Sequence, residues 1–257
     1  MSNFYKDKKV VVTGGSGFVG THYIEELLHL GAIVKTHTHK QPLKKNWNGI
    51  EVIENIDLYN LDDCMRLVDG ADYVIHSAGK IAHPSSVPTD FQVALNQLNV
   101  ITNVLEASYK SDIKGFVDVN SSTGYPDRRY PITEGEFWDE EPYISYYGYG
   151  WMRRYREKVM EHASHLSDMK IAIARGTAIF GPHDNFDLNN LGYGSTVTIG
   201  DIVDTILEVT GKNPKVEWDN TKPTTIPFRM VSTERIQKEL GFKPKYTFEE
   251  GIKKTVE

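Results

Sequence analysis

The sequence predicts an α/β fold with a doubly wound parallel sheet. Three observations predict it: a glycine-rich turn set between an apolar strand and a helix, strand and helix patterns that alternate along the chain, and enough apolar residues, 39% of 257, to bury one core. Lys9 to Val12 reads as a short buried strand, and Thr13-Gly-Gly-Ser-Gly-Phe-Val-Gly20 follows it. Gly15, Gly17 and Gly20 fit a G-x-G-x-x-G spacing, while Gly14, Gly17 and Gly20 fit G-x-x-G-x-x-G. In both patterns a turn without Cβ atoms lets the backbone approach a pyrophosphate, and the positive end of the following helix favours the anion. A helix-like run from Thr21 to Leu30, closed by Gly31, and a second strand from Ala32 to Thr36 complete the unit.

The stretch Lys35-Thr-His-Thr-His-Lys40 after the second strand carries no acid. An acid at this point usually accepts hydrogen bonds from the adenosine ribose of a dinucleotide. Thr38 falls at about that position, and His39 and Lys40 beside it suit the extra 2′-phosphate of NADP, with NAD and a plain solvated basic turn as the alternatives. Ile50 to Asn55 reads as a third strand leading to Asp57-Leu58, and Leu61 to Val68 as a helix. Asp57 serves either the adenine edge or the entry of that helix as a cap. Ala71 to Gly79 is a buried strand that runs into small residues; Ser77, Ala78 and Gly79 leave room for a cofactor at the carboxyl end of the sheet. His76 within it reads as a packed core histidine. Asp90 to Tyr109 forms an amphipathic, core-facing helix, Lys114 to Val119 and Ile171 to Ala174 are further strands, and Gly150 to Leu166 is the helix between them.

Composition narrows the class. A net charge of −6 argues against a general nucleic-acid or anionic-membrane binder. The single cysteine, Cys64, makes no internal disulfide, which fits a reducing cytosol. The N-terminal residues lack an apolar signal segment, and no run reaches the about 20 apolar residues that span a bilayer, so a soluble cytoplasmic protein is expected. No metal site is expected.

Two stretches combine hydroxyls with a base. Asn120-Ser-Ser-Thr-Gly-Tyr-Pro126 lies at the carboxyl end of a strand, and Tyr146-Tyr-Gly-Tyr-Gly-Trp-Met-Arg-Arg154 leads into a helix. Tyr149 and Arg153 are four apart and share a helix face. A cation beside a phenol lowers its pKa from about 10 and makes it a usable base.

These motifs together resemble the extended short-chain dehydrogenase/reductases, within the NAD(P)-dependent epimerase/dehydratase family, and most of all the GDP-L-fucose synthase-like nucleotide-sugar enzymes. The likeness runs from Lys8 to about Asp187 and resumes in Asn190-Leu-Gly-Tyr-Gly-Ser, Lys222-Pro and Leu240-Gly-Phe-Lys-Pro. It implies a Rossmann-type dinucleotide-binding domain over residues 1–180 and a small C-terminal substrate lobe over 181–257. It also implies a cofactor held by Gly14, Gly17, Phe18, Val19 and Gly20, with Asp57, Leu58, Ser77, Ala78, Gly79 and Asn99 around it. Ser121 matches the hydroxyl that bonds the reacting oxygen, and Tyr149 the family's catalytic tyrosine, with Tyr146 as the fallback. Arg153 stands where a lysine is usual, exchanging a compact ammonium for a planar fork.

The likeness breaks at two positions that handle epimerisation protons. Thr123 occupies the place of a cysteine, and the partnering histidine is missing, His183 aligning elsewhere. After Gly181-Pro-His-Asp-Asn-Phe-Asp-Leu-Asn189 the chain jumps to what resembles the family's late Asn190-Leu-Gly-Tyr-Gly194 segment, so the substrate lobe is shortened. Either the lobe is naturally contracted, or the natural chain carries a loop-rich stretch that this sequence omits; intact mass separates the two. Arg128, Arg129, Lys222 and Arg229 are the cations available to a diphosphate, Arg229 first by resemblance. The expected substrate is a nucleotide-diphosphate sugar, converted by hydride transfer at a sugar carbon, as a 4-epimerase, dehydrogenase or ketoreductase. The alternative is a catalytically silent dinucleotide-binding regulator or scaffold. The helices Asp90 to Tyr109 and Gly150 to Leu166 resemble the pair that forms a four-helix interface in this family, so a homodimer is expected.

Overall fold

The computed structural model describes residues 3–79, 91–177, 179–181, 197–219, 221 and 226–256. His183, Asp187, the 190–194 segment and Lys222 lie outside the described residues. Strands β1 (Lys9–Thr13), β2 (Ile33–His37), β3 (Glu51–Ile53), β4 (Tyr73–His76), β5 (Gly115–Ser121) and β6 (Lys170–Gly176) form one six-stranded sheet in the order β3-β2-β1-β4-β5-β6. The pairs of β1 with β2 and β4, of β2 with β3, and of β4 with β5 are parallel. The order reverses between β1 and β4, and at such a switch point the loops leaving the two strands part and open a crevice at their carboxyl ends.

Both faces of this sheet are covered. Val10, Val11 and Val12 are each 0% exposed, as a strand packed on two sides requires. Val10 and Val12 point toward Ile24 and Leu27 of α1 (Phe18–His29). Val11 points the other way, into a larger cluster with α2 (Leu61–Val68), α3 (Phe91–Lys110) and α4 (Tyr147–Leu166), which contribute Leu67, Ile101 and Met160. Alternation of side chains along β1 thus serves two cores at once.

The chain folds as two compact units. One comprises Met1–Ala82, Asp90–Asn120 and Met152–Arg175; the other includes Ser121–Trp151 and Gly176–Glu257. The second has its own small core of Tyr125, Ile132 and Phe137 with Val231, where Ile132 bridges Val231 and Ser232 N donates to Ile132 O at 2.7 Å. It also carries α5 (Ile199–Thr210), α6 (Glu234–Leu240) and α7 (Phe248–Val256). A reciprocal capping box of Thr198 and Asp201 starts α5, and Gly211, at φ 62°, ends it. Among the described residues no helix is long and apolar enough to cross a membrane.

Several boundaries differ from the sequence reading. Helix α1 begins at Phe18 and not Thr21, because Gly17 caps it and Thr21 N already closes onto Gly17 O at 3.1 Å. The third strand is three residues and not six; Thr38 N makes its last ladder bond to Ile53 O, and Asn55, at φ 57°, turns the chain away. Helix α4 starts at Tyr147, three residues before Gly150, since a 3₁₀ turn at Ile144–Tyr146 runs into it and overrides the weak propensity of Gly148 and Gly150.

Candidate functional site

The glycines of the first turn each answer to a steric demand. Gly14 sits at φ +73°, and a Cβ there would lie 2.8 Å from Ala78 Cα, so the turn touches the end of β4. A Cβ on Gly15 would meet Thr36 Oγ1 at 2.2 Å, and one on Gly20 would meet Gly14 O at 2.1 Å. Gly20 therefore lets α1 start tight against the turn, Gly15 lets β2 and α1 close on it and Gly14 the end of β4, while a Cβ on Gly17 would meet only Gly14 O, at 3.1 Å. Thr13 ties the two strand ends together: Ser77 Oγ donates to its carbonyl at 2.7 Å, and Ala78 N donates to its hydroxyl at 3.2 Å.

Beside this turn lies a cavity of about 440 Å³, wholly within the first unit and of a size that takes a small organic ligand. Gly14, Ser16 and Gly17 form one side of it, and His37, His39 and Lys40 another. Asp57, Leu58 and Tyr59 line it from the segment after β3, Ser77, Ala78 and Gly79 from the end of β4, and Asn96, Gln97 and Val100 from α3. Asn99 is not on this wall. It is exposed, because each helical residue turns about 100° and the inward face of α3 is the one carrying 96 and 100. Phe18, Val19 and Gly20 lie inside α1 and off the wall as well, Phe18 meeting His22 edge to face at 5.3 Å. Asp57 does not cap α2. Asn60 does, accepting from Asp62 N and Asp63 N, while Asp57 Oδ1 accepts from Tyr59 N at 3.0 Å.

The position expected at Thr38 belongs to His37. Thr38 is engaged through its backbone with Ile53 and Ile56, and His37, the last residue of β2, turns onto the wall and accepts from Gly14 N through Nε2 at 3.2 Å. Strand alternation, counted from the true end of β2, carries that signal; the sequence reading set the strand one residue early, at Ala32 to Thr36, and so left His37 outside it. Burial holds the His37 pKa down to about 4, with His39 a smaller contributor. His76 is a core histidine: its Nδ1 meets Thr13 Oγ1 at 2.9 Å, its ring stacks on Phe116, and burial pushes it well below the ordinary range, helped by the charges of Arg156 and Arg153.

In the second unit, the turn after β5 carries the hydroxyls. Ser121 Oγ accepts from Thr123 N at 3.3 Å, and Thr123 Oγ1 is buried with no hydrogen-bond partner in the structure. Tyr149 is 9% exposed in the first turn of α4. A Cβ on the adjoining Gly150 would lie 2.4 Å from Pro142 Cβ and 2.8 Å from Thr123 O, so that first turn sits directly on the hydroxyl turn. Arg229 donates to Tyr125 O at 3.3 Å and Pro126 O at 3.2 Å, and burial lowers its pKa to about 10. Arg128 is committed to a two-pronged pair with Glu140, and Arg129 stands 3.9 Å from Asp127.

Arg153 follows Tyr149 by one turn of α4, and its own surroundings lie in the first unit. Its Nη1 donates to Asn120 Oδ1 at 3.4 Å, while Asn120 Nδ2 donates to Glu157 Oε1 at 2.6 Å and to Arg153 O at 3.3 Å. Glu157 in turn takes Arg175 through both oxygens, at 2.9 and 2.7 Å. Arg156 pairs with Asp118 beside them, both fully buried; burial pushes the Asp118 carboxyl up even so. Of this group the sequence reading gave a role to Arg153 alone, although Tyr149, Arg153 and Glu157 stand four apart and so on one helical face.

Residues 10–221 match the profile of the NAD dependent epimerase/dehydratase family. The chain belongs to that family. It is an NAD(P)-dependent enzyme by that membership. A probable GDP-L-fucose synthase of rice is 25% identical over 99% of this chain and 93% of its own length. The 324 aligned positions exceed the 257 residues available, so the rice protein carries stretches that this chain lacks. A probable GDP-L-fucose synthase of Drosophila melanogaster is 31% identical over 70% of this chain, which spans 54% of that protein. Among solved structures, UDP-glucose 4-epimerase of Thermotoga maritima superposes with a TM-score of 0.85 over 96% of this chain and 97% of its own, at 18% identity, a likeness of fold. The cavity fits the dinucleotide the family uses. Gly14 and Gly17 of the turn and the small Ser77, Ala78 and Gly79 line it with little side-chain bulk, and β2 carries no acid.

Proposed function

We propose that this chain converts a nucleotide-diphosphate sugar at one sugar carbon, as a 4-epimerase, dehydrogenase or ketoreductase. The observation that carries the proposal is the seating of Tyr149's helical turn on the Ser121–Thr123 turn through Gly150. The names of the rice and Drosophila relatives support the substrate class, as does the Thermotoga structure, which was determined with UDP-glucose.

Gly14 and Gly17 hold the pyrophosphate of NAD(P), Ser77 to Gly79 leave space at the end of β4, and Asp57 and Leu58 take the adenine side. The nicotinamide ring, when bound, supplies a hydride donor or acceptor at C4. Ser121 hydrogen-bonds the reacting oxygen, and Tyr149 gives or takes the proton at that oxygen. Arg153 supplies a positive charge one helical turn away, and Asn120 and Glu157 fix its direction. A threonine at 123 does not supply the acid–base chemistry of a cysteine, because its hydroxyl stays protonated near neutral pH; this favours single-centre redox or 4-epimerisation over 3,5-epimerisation. NADP is the cofactor we favour, on His39 and Lys40 and the missing acid. Arg229 keeps donors beyond the two spent on carbonyls and is assigned to the substrate diphosphate. A cytoplasmic homodimer completes the reading, checked by light scattering and by the location of a tagged copy.

Incubation with NADPH and a panel of diphospho-4-keto sugars tests it, with NADP⁺ and diphospho-hexoses for the reverse and epimerising directions. We expect net cofactor turnover for a dehydrogenase or ketoreductase, or interconversion of diphospho-hexose epimers without it for a 4-epimerase, and Tyr149→Phe should lower kcat by about 10²–10⁴ without weakening cofactor binding. Cofactor binding with neither net cofactor turnover nor conversion of any diphospho-hexose into its epimer across the panel would favour the silent regulator, a reading motivated by the arginine at 153.

A further inference from the structure

We propose that Arg175 is a positioning residue for the reaction: by holding both carboxylate oxygens of Glu157, it keeps that acid from pairing with Arg153 and cancelling its charge. The proposal rests on the reading of Arg153 as the positive charge that serves Tyr149, and it names what protects that charge.

Helix geometry sets up the conflict. Arg153 and Glu157 stand four apart on α4, the spacing at which opposite charges pair along a helix. Glu157 is 3% exposed, so water and salt would screen such a pair little. A direct pair would neutralise the cation that the chemistry needs. The structure occupies the acid from another side. Arg175 donates from Nε to Glu157 Oε1 at 2.9 Å and from Nη2 to Oε2 at 2.7 Å, a fork that matches the carboxylate at both oxygens. Asn120 Nδ2 also donates to Oε1, at 2.6 Å, while Asn120 Oδ1 receives Arg153 Nη1 at 3.4 Å. A neutral amide therefore stands between the acid and Arg153. Its orientation is fixed, because a carboxylate only accepts and a guanidinium only donates.

The second buried acid of this region follows the same rule. Asp118, whose carboxyl feels the Arg153 charge, is paired with Arg156. Each acid is thus engaged by an arginine other than Arg153. All of these residues belong to the sheet-bearing unit, on β5, α4 and β6. Arg175 lies on β6, beside β5 in the sheet order, so the strand arrangement brings it to a helix residue 18 positions earlier.

The test compares Arg175→Gln with the double variant Arg175→Gln/Glu157→Gln, using the diphospho-sugar that the wild type converts, at a temperature where melting shows each protein folded. Arg175→Gln should lower kcat about tenfold, because Glu157 then turns to Arg153. The double variant should return to within about threefold of the wild type, since an amide at 157 still accepts from Asn120 and carries no charge. The ¹⁵Nε resonance of Arg153, assigned from Arg153→Lys, should move in Arg175→Gln and move back in the double variant. An arginine that merely neutralises a buried carboxylate would change the melting temperature and leave that resonance in place. A folded Arg175→Gln with wild-type kcat or an unmoved Arg153 resonance, or a double variant as slow as the single one, overturns the proposal. A wild type that converts no sugar overturns the reading of the reaction, and the spectra alone then decide whether Arg175 holds Glu157 off Arg153. Should Arg175→Gln fail to fold, Arg175→Lys replaces it. An ammonium is a point charge that cannot fork onto both oxygens, so the Arg153 resonance should still move, and a resonance that stays put overturns the proposal.

Discussion

The sheet-bearing unit and the chain that follows Gly176 are built on different terms. In the first, β1 is buried on both faces, α2 and α3 pack through Leu67 and Ile101, and charged groups as deep as Asp118 and Arg156 are enclosed. In the second, α5 and α6 have no buried residue, and α7 buries only Phe248 and Ile252. Helix α5 is nonetheless well capped at both ends, so its local signals are sound. The difference teaches that a helix can be specified by its own sequence and still owe little to tertiary burial, and that the half holding the glycine turn is the half whose stability is collective. The rice relative carries stretches that this chain lacks.

The contrast is broken most severely by removing a charge from the enclosed half. Arg156→Met leaves Asp118 buried beside no direct counter-ion, and should cost about 3–5 kcal/mol in urea unfolding. Loss of under 1 kcal/mol would mean that the pair is open to water. Leu67→Ala, at a fully buried position of α2, should cost about 2–5 kcal/mol by the same measurement.

A third effect acts through pH. His37 binds a proton at about pH 4 folded against an ordinary 6.5, and His76 is shifted the same way. The unfolded chain therefore takes up protons first as pH falls, so stability is full above pH 6.5 and is lost on going down toward pH 4. For His37 alone the loss is up to about 3 kcal/mol, and His37→Asn should flatten a plot of Tm against pH in this window. A slope unchanged by that substitution would assign the effect to other groups. The smallest change is expected in the second unit, where Leu240→Ala at 76% exposure should stay within about 0.5 kcal/mol. A cost like that of Leu67→Ala would show that α6 packs against something, and the contrast between the halves would fall.

Most of the sheet was legible because its signals are local. Three consecutive valines, a glycine turn and a run of small residues at Ser77 to Gly79 each declare a strand or its end through chain stiffness and side-chain size alone. The serine and the Tyr149–Arg153 pair were legible for the same reason, as short spacings on one element. Asn99 lies on the exposed side of α3 while Asn96 and Val100 line the cavity, because a single step along a helix turns a side chain by about 100° and a family position leaves the face open. His37 was missed because its importance comes from Gly14, 23 positions away, whose amide reaches it only when β1 and β2 pair in register.

The sequence by itself determined the α/β class, the glycine turn, the absence of an acid after β2 and the residues of the hydroxyl turn. These follow from composition and from spacings within a few residues, where backbone geometry leaves few choices. Tertiary structure alone decided that Gly15 and Gly20 serve packing, that His37 and not Thr38 faces the cavity, and that Asn120, Glu157 and Arg175 stand behind Arg153. Those facts depend on which segments the sheet order brings together, and a buried polar group takes its meaning from partners that only the folded chain supplies.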